Sequence, residues 1–332
     1  MRAFFRKVLI SFLFFSFIPA VSVFSEGRPL KILLIHSYHP EYPWVDSITR
    51  GVKNALDGKN VELEIFYMDT KRNTSKEWKL EAGRLAREKI ENFKPDAVIT
   101  ADDNAQIFVA QQYLNKDIFF VFCGVNGDPK EYGFPANNIT GILERPHLKE
   151  SVRYLKEIIP SVHRIVVISD NDPTSIGALD YMQTQEPSDI KFLNYHILGD
   201  LGLWKERILE YNLEADAIAV YMYHTIKYKE NQFSMHPNDV MRWTVENAKI
   251  PLLGFFDFSI EDGMFCGVVE SGEEHGFRAA EMALALLTGT PIEQLPIETA
   301  EKALKMINLK TAKQLGITIP EKIILQADKV FK

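Results

Sequence analysis

From Lys31 onward, short apolar runs alternate with longer segments in which apolar positions recur every three or four residues. This is the pattern of strands interleaved with amphipathic helices. Residues 31–36 are almost wholly apolar, as a strand covered on both faces requires. Val45, Ile48, Val52 and Leu56 lie on one stripe and predict a helix over 44–56. Strands are expected at 61–67, 96–100 and 118–122, with helices over 77–93 and 104–113. Residues 137–146 break the rhythm with a short strand and Pro146, and mark a boundary between lobes. A second series then starts: helices over 148–159, 175–185, 203–212 and 238–247, and strands at 164–169, 192–197, 217–222 and 251–255. A long amphipathic helix over 273–287 and a tail from Glu301 complete the chain. The alternation predicts an α/β protein of two Rossmann-like lobes with parallel sheets and a ligand cleft between them.

The first residues change the picture of where the chain works. Arg2, Arg6 and Lys7 precede an apolar run from Val8 to Ile18, followed by Pro19 and small residues, the layout of a secretory signal peptide cleaved near Ser25. The run is much shorter than the roughly 20 residues that span a bilayer, so export to the periplasm or another extracytoplasmic space is expected rather than anchoring. No cysteine stands near the cleavage region to accept a lipid. The formal net charge of −7 becomes more negative once the three cations of the signal are removed, which disfavours nucleic acid and anionic membrane surfaces as partners. Cys123 and Cys266 are too few for a disulfide scaffold.

In doubly wound sheets ligands sit beyond the carboxyl ends of the strands. Those ends collect His36, Ser37 and Tyr38, then Asp102, Asp103 and Asn104, then Asn126. The second series adds Ser169, Asp170, Asn171 and Thr174, then Tyr221 and Tyr223, then Asp257. Hydroxyls, amides and carboxylates in such positions orient a small polar ligand, and Tyr38, Trp44, Tyr221, Tyr223 and Phe256 offer flat apolar walls. Asp103, Ser169, Asp170 and Thr174 are equally suited to cap helices. Glu144 and Arg145 fall on the expected passage between lobes, as a solvated hinge pair or, for Glu144, as a ligand contact. His36, His39 and Asp46 do not make a metal site, for no third convergent ligand or His-Glu-x-x-His spacing accompanies them. The chain has no Gly-x-Ser-x-Gly elbow, phosphate loop or dinucleotide fingerprint, so neither catalysis nor a cofactor is expected.

Several stretches in order, HSYHPEYPW (36–44), ITADDNA (99–105), VFCGVN (121–126), TGILE (140–144), RIVVISDN (164–171) and LGITIPEKIILQADKV (315–330), resemble the substrate-binding proteins of ABC transporters with the type I periplasmic binding fold. Within them the resemblance is to the group related to aromatic amino acid uptake. HSYHPEYPW and TGILE are also similar to extracellular sensor domains of histidine kinases and diguanylate cyclases. The resemblance implies capture of a small polar solute, an amino acid or related carboxylate, for a membrane permease. The alternative partner is a separate membrane sensor kinase or cyclase, since no membrane helix follows Lys332. It also implies that the chain returns between lobes, with lobe 1 formed by residues 26–141 plus about 256–290 and lobe 2 by 142–255 plus about 291–332. On that reading the strand holding Cys266 lies beside the strand holding Cys123, with a disulfide conceivable between them.

Overall fold

The structure, a computed structural model, describes residues 28–229, 233–300 and 303–332; the expected signal at residues 1–25 lies outside them. Strand β1 (Leu30–His36), helix α1 (Pro43–Leu56), β2 (Val61–Tyr67), α2 (Lys76–Phe93), β3 (Ala97–Ala101), α3 (Asp102–Phe108), β4 (Phe119–Val125) and β5 (Ile139–Leu143) form the first series. The second comprises α4 (Leu148–Ile158), β6 (Arg164–Asp170), α5 (Pro173–Gln183), β7 (Lys191–Leu198), α6 (Leu201–Glu214), β8 (Ala217–Val220), α7 (Pro237–Asn247) and β9 (Leu252–Leu253). There follow α8 (Asp257–Glu261), β10 (Cys266–Glu270), α9 (Gly272–Leu287), β11 (Glu298–Thr299), β12 (Ala303–Asn308), α10 (Leu309–Gln314), α11 (Glu321–Gln326) and β13 (Lys329–Phe331). Among the described residues no helix is long and apolar enough to cross a membrane.

Two sheets result, ordered β11-β5-β4-β3-β1-β2 and β13-β12-β10-β9-β8-β6-β7. Every pairing in the first is parallel; in the second only β10 with β12 is antiparallel. The inner order is the same in both: the first strand of each series lies between the second and the third, so the winding reverses there. These switch points open a crevice between the ends of β1 and β3 in one sheet and of β6 and β8 in the other. The middles of the central strands are apolar and inaccessible, for example Ile32–Ile35 and Ile165–Ile168.

The chain passes between the sheets after β5, after β10 and again between β11 and β12. This corrects the expected lobe segments. Residues 256–290 do not return as one block, because β10 pairs with β9 and β12 in the second sheet, and α9 alone packs on α1 and on β3, β4 and β5. Conversely β11, expected in the second lobe, pairs with β5 in the first. The physical reason is the connection from β9 to β10, about a dozen residues carrying α8, which suffices for a crossover back into the same parallel sheet. The Cys123 and Cys266 strands are consequently not neighbours: Cys123 stands opposite Ala101, and Cys266 opposite Leu253 and Ile307. Both cysteines are free and buried, and the anticipated pairing is wrong.

Candidate functional site

The two crevices face each other and their side chains meet. From the first lobe come Tyr38, Tyr42 and Trp44, after β1 and at the start of α1, where Pro43 with its fixed φ opens the helix. From the second come Tyr221 and His224 after β8, and Phe256 and Phe258 around the start of α8. Rings pack across the gap, Tyr42 edge-on to His224 with centroids 4.7 Å apart and Trp44 edge-on to Phe256 at 5.3 Å, while within the second lobe Phe256 stacks on Phe258 at 5.2 Å. All seven are buried. Outside Tyr42 and His224 a cavity of about 360 Å³ lies between the lobes, also lined by His39, His236 and Asp262.

Polar contacts bind the same surfaces. Asp103 accepts from the backbone of Asn126 and Gly127 and from the Tyr132 hydroxyl, and Thr174 Oγ1 of the second lobe donates to it at 2.9 Å. Its donor spent, the Thr174 hydroxyl accepts from Tyr38 across 2.8 Å. Tyr221 of the second lobe donates to Glu144 Oε1 at 2.7 Å and lies 3.1 Å from Asn126 Oδ1.

Amid these satisfied groups several buried polar atoms have no hydrogen-bond partner, among them Lys71 Nζ, Asp102 Oδ2, Asn104 Oδ1, Asp172 Oδ2 and His224 Nδ1. Lys71 is 1 % exposed; its ammonium lies 3.6 Å from Asp172 Oδ1, beyond hydrogen-bond reach, and 4.4 Å from the centre of the Tyr38 ring. Burial pulls its pKa down, but Asp172, Asp170, Asp102 and Glu144 together outweigh that and hold it above the ordinary value, so it is cationic. Asp102 has a left-handed backbone, φ 66°, and receives Trp44 Nε1–H on Oδ1 at 3.0 Å while Oδ2 receives nothing. Burial first, and then the neighbouring Glu144, push its pKa far up. Burial likewise raises Glu144 to about 7. Leaving an ammonium and carboxylate oxygens buried and unbonded is costly, and native interiors rarely do so without a purpose.

Of the residues expected at the site, Tyr38, Trp44, Asp102, Asn104, Asn126, Glu144, Thr174 and Tyr221 are gathered where the lobes meet. Asp103 is there too, with its oxygens fully occupied. Others serve the scaffold. Ser37 bonds the Ala101 carbonyl and the Ala105 amide, His36 bonds Thr49 and stacks on Tyr67, and Asp170 accepts from Ser175 and from the amides of His224 and Thr225. Ser169 accepts from the Met222 amide. Three turn elsewhere: Asn171 is exposed, Tyr223 donates to Asp262 at 2.6 Å, and Asp257 accepts from the amide of Phe258 at the start of α8. Lys71, Tyr42, Asp172 and His224 were not foreseen. Lys71 follows β2, the nearest neighbour of β1, so a search of every strand end would have reached it.

The chain matches the family model described as ABC transporter substrate binding protein over residues 39–331. It is 21 % identical over 291 residues to a tyrosine-binding protein of Clostridioides difficile strain R20291, covering 83 % of this chain and 79 % of that protein. Among solved structures it is similar to a conserved domain protein from Vibrio cholerae, at 20 % identity and TM-score 0.73 over 91 % of this chain and 99 % of that one. A domain from Streptococcus pneumoniae in complex with L-Trp superposes with TM-score 0.70 at 19 % identity, over 91 % and 100 % of the two chains. These likenesses establish the type I periplasmic binding fold. Matched along nearly all its described length, the chain belongs to the family of ABC transporter substrate binding proteins, and its role is to bind a solute.

Proposed function

We propose that the solute is a free amino acid with an aromatic or other large apolar side chain, held between the lobes outside the cytoplasm and passed to the membrane permease of an ABC transporter without being chemically altered. One observation carries this reading: a buried ammonium and buried carboxylate oxygens lacking partners stand beside an aromatic wall. A zwitterion supplies the missing partner of each, its carboxylate to Lys71 and its ammonium to Asp102 and Asp172, and such charge-assisted bonds are the strong ones. The Tyr38, Tyr42, Trp44 and Phe256 rings then suit an apolar side chain. The tyrosine and L-Trp named for two relatives agree with it. The strand-end groups Asn104, Asn126, Thr174 and Tyr221 orient the ligand or lock the lobes around it, as lobe closure in binding proteins requires.

The test is a thermal-shift screen of amino acids, sugars and nucleosides. Aromatic amino acids are expected to stabilise the protein by about 2.7 kcal/mol at a hundredfold excess over the dissociation constant. Removing one partner of a buried charge contact typically costs about 2–5 kcal/mol, so K71M should weaken binding at least thirtyfold. Stabilisation by sugars or nucleosides alone would refute the amino acid reading. Turnover of the bound amino acid on prolonged incubation would refute simple carriage.

A further inference from the structure

Two acids of the first lobe converge on one glycine. Gly124, at the end of β4, has φ 64°, and a β-carbon placed on it would come within 3.2 Å of Asp102 Oδ1 and 3.6 Å of Glu144 Oε2. Asp102 and Glu144 thus share a small space kept open by the absence of a side chain. Asp102 is 1 % exposed, as is Glu144, and Asp102 Oδ2 has no partner. Two carboxyl groups so placed resist ionising together, because each adds its charge to the other's cost of burial.

We propose that Asp102 and Glu144 act as a proton-exchanging pair, in which the empty site keeps a proton on the pair and the arriving ammonium group of the ligand displaces it to solvent. The inference rests on the amino acid reading above and adds to it a coupling between capture and pH. The balance is simple: a ligand ammonium enters, one carboxylic acid becomes a carboxylate, and its proton leaves to the buffer. Asp102 and Gly124 belong to the first lobe, and Glu144, the residue after β5, is tied to it by its backbone amide on the Val125 carbonyl at 2.9 Å.

The groups facing the pair are consistent with one proton held in common. Asp102 is faced by Lys71, by the carboxylate of Asp103 and by the Trp44 indole N–H. Glu144 is faced by Tyr221, by Asn126, and by His275 and Glu270 near the second passage between lobes; Arg145 lies beside it and Cys123 lies near both acids. Lys71 is the one cation among these close to Asp102, and Asp172 shares it. Burial holds both acids above the ordinary carboxyl range, and the neighbouring charge adds to it, Glu144 for Asp102 and Glu270 for Glu144.

The experiment is calorimetric titration of the purified protein with L-tyrosine and L-tryptophan at pH 7, in phosphate and in Tris, whose ionisation enthalpies differ widely. About one proton is expected to be released per ligand bound, and by linkage the dissociation constant should rise up to about tenfold for each pH unit lowered between 8 and 6. E144Q keeps an acceptor for Tyr221 but removes the second acid; whatever its affinity, it should release much less proton per ligand bound than the native protein, and an equal release would overturn the pair. A binding heat independent of buffer, with a pH-independent dissociation constant, would overturn the exchange and leave the amino acid reading intact. Failure of every amino acid to bind would overturn both.

Discussion

At the residue scale the molecule sorts its buried ionisable groups into those that are satisfied and those that wait. Asp103 and Asp170 each take several donors and hold loops in place, whereas Lys71 and Asp102 retain unbonded atoms. The sequence could nominate both kinds of acid, because each follows a strand, but it could not separate them. That distinction depends on partners far along the chain, such as Tyr132 for Asp103 and Trp44 for Asp102. Lys71 escaped notice because a lysine after a strand is ordinarily solvated, and its burial depends on Asp172 and Tyr38 arriving from other elements. A third kind of group sits where the chain passes between lobes. Glu270 lies 3.1 Å from His275 Nε2 and 3.2 Å from His147 Nε2, and burial, partly offset by His147, lifts its pKa to about 8. Because the folded value stands above the ordinary 4.5, the folded chain holds this proton more tightly than the unfolded one. The resulting stabilisation is complete below about pH 4.5 and is lost as pH rises through 8. Glutamine cannot ionise, so the stability of E270Q relative to the native protein should increase from pH 5 to pH 8, by a total on the order of 3 kcal/mol. Urea unfolding at several pH values measures this; a constant difference would show that Glu270 does not titrate in that window.

At the scale of elements the periodic pattern was highly legible. The expected helix at 44–56 is Pro43–Leu56, and the strand at 61–67 is reproduced in full. The expected helix over 104–113 is instead the short α3 followed by a 3-10 turn at Ala110–Tyr113, since Val109 leaves the helical conformation. What periodicity cannot convey is which helix packs on which sheet. α9 covers the first lobe through a backbone contact with α1 that depends on two glycines. A β-carbon on Gly51 would lie 1.9 Å from the Glu273 carbonyl oxygen, and one on Gly276 would lie 2.0 Å from that of Ile48. No side chain can occupy either site without parting the helices. G276A should therefore destabilise the protein by about 2–3 kcal/mol, despite alanine's better helix propensity. Denaturant titration would detect this, and an unchanged midpoint would mean that the helices yield freely.

At the scale of the whole molecule, the sequence announced two similar α/β series, and the structure turns them into sheets of the same inner strand order with their switch points opposed. The site follows from that opposition, because strand ends separated by 95 residues, those of Asn126 and Tyr221, become neighbours. The later passages of the chain were less legible. β10 is buried and apolar up to its last residue, Glu270, as a strand in either sheet could be, and its pairing with β9 and β12 assigns it to the second. The resemblance in the stretches around residues 36–44 and 121–126 indicated the family correctly, yet misled on the relation of Cys123 to Cys266. On the proposed function, opposite charges meet a zwitterion enclosed between the lobes. A crystal structure of the protein with the amino acid that stabilises it most is the decisive measurement. The ligand carboxylate is expected within about 3 Å of Lys71 Nζ, its ammonium on Asp102 Oδ2 or Asp172 Oδ2, and its side chain against Tyr42, Trp44 or Phe256. A ligand bound outside the two switch points, or one that leaves Lys71 without a partner, would contradict it.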